Sequence, residues 1–511
     1  MLVLLTGGSG VVGQAAVRAL LTHGHRVRLL ARGADRGAAE WPDGVEAWPA
    51  DVASPDELRG SADGCDAVLH CAGIVDESPP EKTFERVNVE GTRNVVREAT
   101  RANVRRLVYV SSLGCDRGTS PYHASKRQAE AEVCAFGGDW LVLRPGNVYG
   151  PGDDVISSLL TMVRTLPLVP VIDDGEQPFE PMWADDLGEA LALAVERDDL
   201  SRRTLELAGP ERTSMNDLLH RLAALTGRRP TRLPLPGALA SFGAKLADLV
   251  GISTPLNESQ LIMLTEENVI AAPDGNALTT VFRVAPTSLD DGLARLADAS
   301  PEQLPDEGVG ALKRKRFYAE IENSTLTAEA LLSRFRARFA EITPWHLEVA
   351  PEPGTRSELV DGETLTMSLP LRGHIQVRVE EVTPRRVTLV TLAGHPIAGA
   401  VRFLSEPRGA AVRFEIQVYD RAASFVDWIT MNAGGGQLQN STWEATVAAV
   451  VAESGGTAPA GVQQETVALD AAQARDVVSW LDALVLARQR TTNAASVEHA
   501  SPYRGGAGAR G

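Results

Sequence analysis

Leu2 to Leu5 carry no polar side chain, and so short an apolar run, closed by glycine, reads as a strand buried on both faces, as in a parallel sheet. Thr6 to Gly10 form a glycine-rich turn, and from Val12 to Leu21 the apolar residues fall at helical spacing. The pattern repeats downstream. Further strands are predicted at His25 to Ala31, Val45 to Pro49, Ala67 to His70, Leu107 to Val110 and Leu141 to Leu143, with a late one from Leu205 to Pro210. Ser214 is placed to cap a helix beginning near Met215. Strands alternating with helices predict a doubly wound parallel α/β domain.

The period then changes. Ala328 to Ile342 is helical, but from Glu363 to Tyr419 the apolar residues alternate: Leu365-Met367-Leu369, Ile375-Val377-Val379, Val387-Leu389-Val390, Val401-Phe403 and Val412-Phe414-Ile416-Val418. That is an antiparallel meander with one buried face. Helices follow at about Gln437 to Glu453 and Ala471 to Arg488. Between the two patterns, Asp298 to Leu312 is rich in proline, acidic and small residues. The resulting division is a first domain over 1–298, a linker over 299–316 ending in the basic run Lys313-Arg314-Lys315-Arg316, a second domain over 317–490 and a disordered tail over 491–511 rich in Ala, Gly and Ser. The basic run reads as a solvated entry to a helix or strand. The composition change predicts separable domains, with residues 1–300 able to bind their ligand alone.

Bulk properties narrow the classes. A chain of 511 residues exceeds one ordinary core, and its formal charge of −17 argues against a nucleic-acid binder. No apolar run reaches the length of a membrane span without charge or proline. The first strand begins at Met1, leaving no space for a leader, and the four cysteines, Cys65, Cys71, Cys115 and Cys134, show no Cys-x-x-Cys spacing, so reduced thiols in a cytoplasm and no metal site are expected.

The opening turn carries the chemistry. In a strand–turn–helix unit, Gly7 allows the tight turn, Gly10 lets the backbone approach a pyrophosphate and Gly13 lets the helix pack closely, so that its first N–H groups face the phosphates. This is a dinucleotide site. At the end of the second strand, where an acidic residue would bond a ribose 2′-hydroxyl, the chain has Ala31 and Arg32, with Arg36 nearby. A guanidinium pairs with a 2′-phosphate that a carboxylate would repel, which favours NADP over NAD.

The spacing Gly7-x-x-Gly10-x-x-Gly13 after Thr6, the pair Tyr122-x-x-x-Lys126, and Arg144-Pro145-Gly146-Asn147-Val148-Tyr149-Gly150-Pro151-Gly152 together resemble the extended or atypical short-chain dehydrogenase/reductases, the NAD-dependent epimerase/dehydratase family, close to the group related to an accessory subunit of respiratory complex I. The likeness covers residues 1–298, including Phe179 to Asp186, Leu256 to Ile270 and Phe282 to Leu296. It implies a Rossmann doubly wound sheet with a small substrate lobe. It also implies cofactor contacts from Thr6, Gly7, Ser9, Gly10, Val11, Val12 and Gly13, from Asp51 and Val52 at the adenine, from Cys71-Ala72-Gly73, from Asn88, and from Pro145 and Val148 beside the nicotinamide. Tyr122 and Lys126 lie a turn apart on one helix face. A free phenol, with a pKa of about 10, needs a neighbouring ammonium to act as a base near neutrality. The resemblance gives Tyr122 the proton, Lys126 the tuning of Tyr122 and the cofactor ribose, and Ser112, before Ser111, the orientation of the substrate oxygen.

The implied activity is an NADP(H)-dependent oxidoreductase passing hydride between nicotinamide and a small carbonyl or alcohol substrate. A sugar-type epimerase with bound cofactor and a non-catalytic NADP-binding scaffold or sensor remain open. Only nine residues separate Ser112 from Tyr122, and Leu113-Gly114 stand where sugar dehydratases place an acidic pair, which disfavours dehydration of a nucleotide sugar. The second domain resembles α+β helix-grip, START-like ligand-binding folds, and Gly394-His395-Pro396…Gly399…Phe403 resembles an uncharacterised bacterial domain family. His395, before proline, reads as a turn residue.

Overall fold

The computed structural model describes residues 1–41, 43–236, 268–270, 275–344, 348–369, 373–430 and 436–500. Most of the predicted stretch Leu256 to Ile270 lies outside them. Among the described residues, seven parallel strands form the first sheet. They are β1 (Leu2–Thr6), β2 (Arg26–Ala31), β3 (Val45–Pro49), β4 (Ala67–His70), β5 (Arg106–Val110), β6 (Asp139–Pro145) and, after β7 (Val148–Tyr149), β8 (Leu168–Ile172) and β9 (Met182–Trp183), the edge strand β10 (Arg203–Leu207). The order is β10-β6-β5-β4-β1-β2-β3. It reverses direction at β1, so a crevice opens beyond the carboxyl ends of β1 and β4.

Both faces of β1 are covered, which is why its sequence is apolar throughout. Val3 and Leu5 join the core beneath helices α1 (Val11–Thr22) and, later in the chain, Ala184–Glu196. Leu4 joins the opposite core with Val95, Ala99, Ala129 and Val133. The helices between are α2 (Ala34–Ala39), α3 (Pro55–Leu58), α4 (Gly91–Arg101), α5 (Pro121–Cys134) and α6 (Ile156–Thr165). A lobe built on α6, β8 and the helix Met215–Thr226 has its own core, with Tyr149, Leu159, Leu160, Val163, Trp183 and Leu222. Ser214 caps Met215–Thr226 by accepting from the Asp217 N–H.

The second sheet follows β11 (Thr231–Leu235). It comprises β12 (Val309–Ile321), β13 (Glu348–Val349), β14 (Thr364–Leu369), β15 (Gly373–Thr383), β16 (Arg386–Thr391), β17 (Ile397–Arg408), β18 (Ala411–Ala422) and β19 (Gln463–Ala468). Their order is β13-β14-β15-β16-β17-β18-β12-β19, each pair antiparallel. Helices Ala328–Ala337, Phe339–Ile342 and Gly436–Glu453 cover one face. The space between is filled by Phe335, Phe339, Phe403 and Phe414, each almost fully buried. Ring centroids lie 4.8 Å apart for Phe335–Phe403 and 5.2 Å for Phe335–Phe414. The helix Ala471–Ala500 covers the other face, setting Leu481 against Val390 and Ala400 and Trp480 against Tyr419.

Three expectations are corrected here. The basic run is not linker, because β12 begins at Val309 and runs through it, and of its four residues Lys313 alone is exposed. Lys315 is buried and donates to Asp420 at 2.7 Å, and Arg316 pairs with Glu415 at 2.6 Å. Upstream, Glu302 is held by Arg378 and Arg488. A helix expected from Ala328 to Ile342 breaks at Arg338, which leaves helical geometry and pairs with Glu341 and Glu453. The last helix continues to Ala500, past the predicted start of a disordered tail, because Asn493 donates to the Glu40 carbonyl at 3.0 Å and Val497 packs on the first domain's core.

Phe403→Ala tests the second core. Truncating a fully buried ring should cost about 3–5 kcal/mol, read as an earlier denaturant transition of the full chain, while cofactor affinity at 25 °C stays as in wild type. A loss below about 1 kcal/mol would contradict the packing described.

Candidate functional site

At the end of β1 three backbone segments come within contact distance. Gly7 has φ +75°, and a Cβ there would lie 2.6 Å from the Ala72 nitrogen. A Cβ on Gly13 would clash with the Gly7 carbonyl oxygen and sit 2.5 Å from the Gly8 Cα. Those two glycines are demanded by the protein itself. Gly10 is different: a Cβ there would meet only the Gly7 oxygen, at 3.8 Å. Its bareness leaves room on the cavity side. Helix α1 begins at Val11 with no side-chain cap at Gly10, so its first N–H groups are left for a partner from outside the chain. An open cradle beside uncapped helix N–H groups fits a dinucleotide pyrophosphate.

The cradle opens into a cavity of about 740 Å³. Gly7, Ser9, Gly10, Val11, Val12 and Gly13 line one end, with Arg32, Asp51 and Val52; Cys71, Ala72 and Gly73 line the middle; Ser112, Tyr122, Lys126, Pro145 and Val148 line the far wall. Two candidates do not line it, Thr6 and Asn88. Arg32 is exposed at the cavity edge. Arg36 is committed elsewhere, to Glu40 at 3.0 Å and Asp482 at 3.1 Å. Asp51 accepts from the Ala53 N–H at 2.9 Å, closing a local turn rather than capping a helix. Burial pushes the Cys71 thiol up to about 12, so it is a neutral wall group.

Thr6 and Asn88 belong instead to a buried chain of hydrogen bonds behind the cavity. Thr92 Oγ1 donates to the Asn88 carbonyl at 2.6 Å, so toward His70 Nε2, at 2.9 Å, it accepts. His70 therefore carries its proton on Nε2, and its Nδ1 accepts from Thr6 Oγ1 at 2.6 Å. Thr6 Oγ1 in turn accepts from the Ala72 N–H at 3.3 Å. From Asn88, Nδ2 donates to Ser125 Oγ at 2.9 Å, and Ser125 donates to the Tyr122 carbonyl at 2.7 Å. Every direction is fixed. Burial, with the Lys126 charge nearby, lowers His70 to about 3, so the network keeps its tautomer across the working pH range. It ties the glycine turn to the helix that carries Tyr122.

On the far wall, Ser120 caps α5 by accepting from the His123 N–H, with Pro121 in the first turn. Burial pushes the Tyr122 phenol up to about 12, and a hydrogen bond with Ser112 pulls it back. Burial lowers Lys126 to about 8; its Nζ donates to the Val110 carbonyl at 3.0 Å and lies 5.2 Å from the Tyr109 ring centre. Lys126 thus loses its proton before Tyr122 does, and while the ammonium exists Tyr122 is a phenol, a donor. Ser111 is used otherwise. It lies 3.6 Å from Cys115 Sγ and bonds Glu130. Burial pushes the Glu130 carboxyl up, but bonds from Arg144, Ser111 and Cys115 outweigh this and hold it below its usual range. The two-pronged Arg144–Glu130 pair, at 2.8 and 2.7 Å, fixes α5 to β6.

Some wall residues escaped the sequence reading. Asn147 lies inside the motif already quoted, and His123 directly follows Tyr122. Asp76, Glu81, Lys82 and Asp154 sit in loops without a local pattern. Asn268 accepts from the Asn147 N–H at 3.1 Å from 121 positions away, which no spacing reveals.

A parallel doubly wound sheet with a glycine cradle at its switch point, facing a wall that bears Ser, Tyr and Lys, defines an NAD(P)-dependent enzyme of the oxidoreductase/epimerase type. The chain belongs to the NAD dependent epimerase/dehydratase family, whose model matches residues 3–208. A ceramide reductase of Caulobacter vibrioides is 32% identical over 304 residues, covering 58% of this chain and 93% of the relative. A 2-alkyl-3-oxoalkanoate reductase of Stenotrophomonas maltophilia is 27% identical over 257 residues, covering 44% and 76%. Among solved structures, MoeE5 in complex with UDP-glucose and NAD is similar at 24% identity with a TM-score of 0.46, covering 58% of this chain and 97% of that one. No described helix is long and apolar enough to cross a membrane.

Gly13→Ala tests the cradle. The added methyl must displace the Gly7 carbonyl, so cofactor affinity should fall by at least about tenfold with the far-ultraviolet spectrum unchanged. Wild-type affinity would show that the turn does not hold the dinucleotide.

Proposed function

We propose that the protein is an NADP(H)-dependent reductase of an alkyl ketone, acting in the cytoplasm. The observation that carries the reading is that Ser112, Tyr122 and Lys126 line the same cavity as the glycine cradle. Tyr122, pushed up to about 12, is a proton donor at neutral pH, the role that carbonyl reduction requires. The bound cofactor would supply the hydride. Tyr122 would donate its proton to the carbonyl oxygen, Ser112 would donate a second hydrogen bond to the same oxygen, and Lys126 would hold the nicotinamide ribose. These preorganised donors supply the transition-state stabilisation. Thr6 and Asn88 would act from behind, through His70 and Ser125.

Arg32 supports NADP: it stands exposed at the cavity edge, and among the described residues no ion pair engages it. The mouth supports a substrate without a diphosphate. Among the described residues, Asp76, Glu81 and Asp154 line it against one ammonium, Lys82, which Asp76 already engages at 2.8 Å. A nucleoside diphosphate would meet net repulsion there, whereas Ile74, Val75, Val87, Val155 and Ile156 offer apolar wall. The two relatives described above, reductases of a ceramide and of a 2-alkyl-3-oxoalkanoate, support the same class.

The test begins with a screen of alkyl ketones against NADPH and NADH. Tyr122→Phe should lower turnover by about 10²–10⁴-fold with NADPH affinity kept, and Lys126→Met should lower both. Turnover at the wild-type rate in Tyr122→Phe would overturn the assignment. Arg32→Ala should weaken NADPH by about 1–3 kcal/mol and NADH hardly at all; equal affinities in the wild type would remove the NADP preference. Lys126 is an ammonium below its pKa of about 8 and neutral above it, so kcat/KM for NADPH should fall as pH rises through that value. A profile flat from pH 6 to 10 would contradict this.

A further inference from the structure

The second domain touches the first on both sides of the cavity. One contact is at α6. Arg164, in its last turn, is 5% exposed, and all three guanidinium nitrogens donate. Nε and Nη2 go to the two Glu352 oxygens at 2.9 and 3.0 Å, Nη1 to Gln376 Oε1 at 2.8 Å and Ser300 Oγ at 3.2 Å, and Nη2 also to the Ala297 carbonyl at 3.0 Å. Glu352, equally buried, also engages His374 at 3.2 Å. The backbones are in contact as well. A Cβ on Gly373 would clash with the Arg164 carbonyl oxygen, and one on Gly394 would lie 2.6 Å from Thr161 Cγ2. Gly394 opens the Gly-His-Pro turn singled out in the sequence, so that turn serves as a seat for α6.

The other contact is at α1 and α2. The helix Ala471–Ala500 is rooted on the second sheet, where Arg488 donates to Glu380 at 2.8 Å. It then reaches Arg36 through Asp482 and Gln489, and the Glu40 carbonyl through Asn493. The glycine cradle stands at the start of α1, and the wall Asp153–Ile156 stands at the start of α6. Asp153 Oδ1 accepts from the Ile156 N–H at 2.7 Å, and its Oδ2 accepts from Ser157 Oγ at 2.6 Å, so this loop and α6 move as one piece. Arg164 lies eight residues along the same rod, roughly 12 Å from Ile156.

We propose that the second domain is a strut across the cavity, and that Arg164 is a positioning residue through which it fixes the wall Asp153–Ile156. The cost of burying an ion pair makes the Arg164–Glu352 contact weak evidence for stability; what it specifies is orientation, because Nε and Nη2 each reach a different Glu352 oxygen. The proposal does not depend on which substrate the cavity takes.

Backbone hydrogen exchange on the full chain tests it. In Arg164→Met, exchange at residues 153–157 should rise by about tenfold or more, while residues 7–13 stay at wild-type rates and NADPH affinity is kept. Arg164→Lys, which keeps the charge and loses the fork, should fall between. A general loss of stability would accelerate both segments together, and that result overturns the proposal, as does unchanged exchange at 153–157. If Arg164→Met is insoluble, Glu352→Gln keeps shape and packing and must show the same selective pattern, or the proposal fails.

Discussion

The carboxyl ends of β1 and β4 leave no room for a side chain between them. Gly7 rests against the Ala72 backbone, and Gly13 rests against the Gly7 carbonyl. That one close approach sets the angle at which α1 leaves the sheet and points its N–H groups into the cavity. The buried chain from Thr6 through His70, Thr92, Asn88 and Ser125 carries the same constraint to Tyr122. The cradle and the far wall are therefore not two sites that happen to face each other. They are held in register by bonds whose directions admit one arrangement.

What could be read from the sequence was whatever the chain states locally. Val45–Pro49 and Ala67–His70 are strands with the expected bounds, and Ser214 caps its helix, because burial on both faces and an orphaned N–H leave marks within a few residues. What escaped was settled by partners far away in the chain. His70 looks like one more strand residue until Thr92 fixes its tautomer. Lys315 and Arg316 look solvated until β18 supplies Asp420 and Glu415. The residues after Thr491 look too small and polar to order, yet a surface on α2, about 450 positions earlier, holds Asn493. Asn88 was singled out for the cofactor and instead supports the backbone behind it, since a motif names a residue but not the direction its amide faces.

The second domain shows how far a pattern can be taken. Its alternation gives an antiparallel sheet under a long helix, and the sheet order agrees with a meander closed by its first strand. Function does not follow from that shape. Four phenylalanine rings fill the space between the sheet and the helices on one face. Some of its buried charges, Lys315, Glu415 and Asp420, pair within the sheet, but Glu352 and Glu380 reach out to Arg164 of the first domain and Arg488 of the last helix, which makes contact with its neighbour its best supported role.

The central claim is a net hydride transfer to a ketone carbon, and isotopic labelling tests it most directly. NADPH deuterated at nicotinamide C4, in either configuration, is incubated with the full chain and an alkyl ketone, and the product is read by mass spectrometry and proton resonance. The account predicts, from one of the two configurations, an alcohol with one deuterium on the carbinol carbon and one oxidised cofactor per product. An isomerised substrate with the cofactor unconsumed, or an alcohol carrying no deuterium from either configuration, would contradict it.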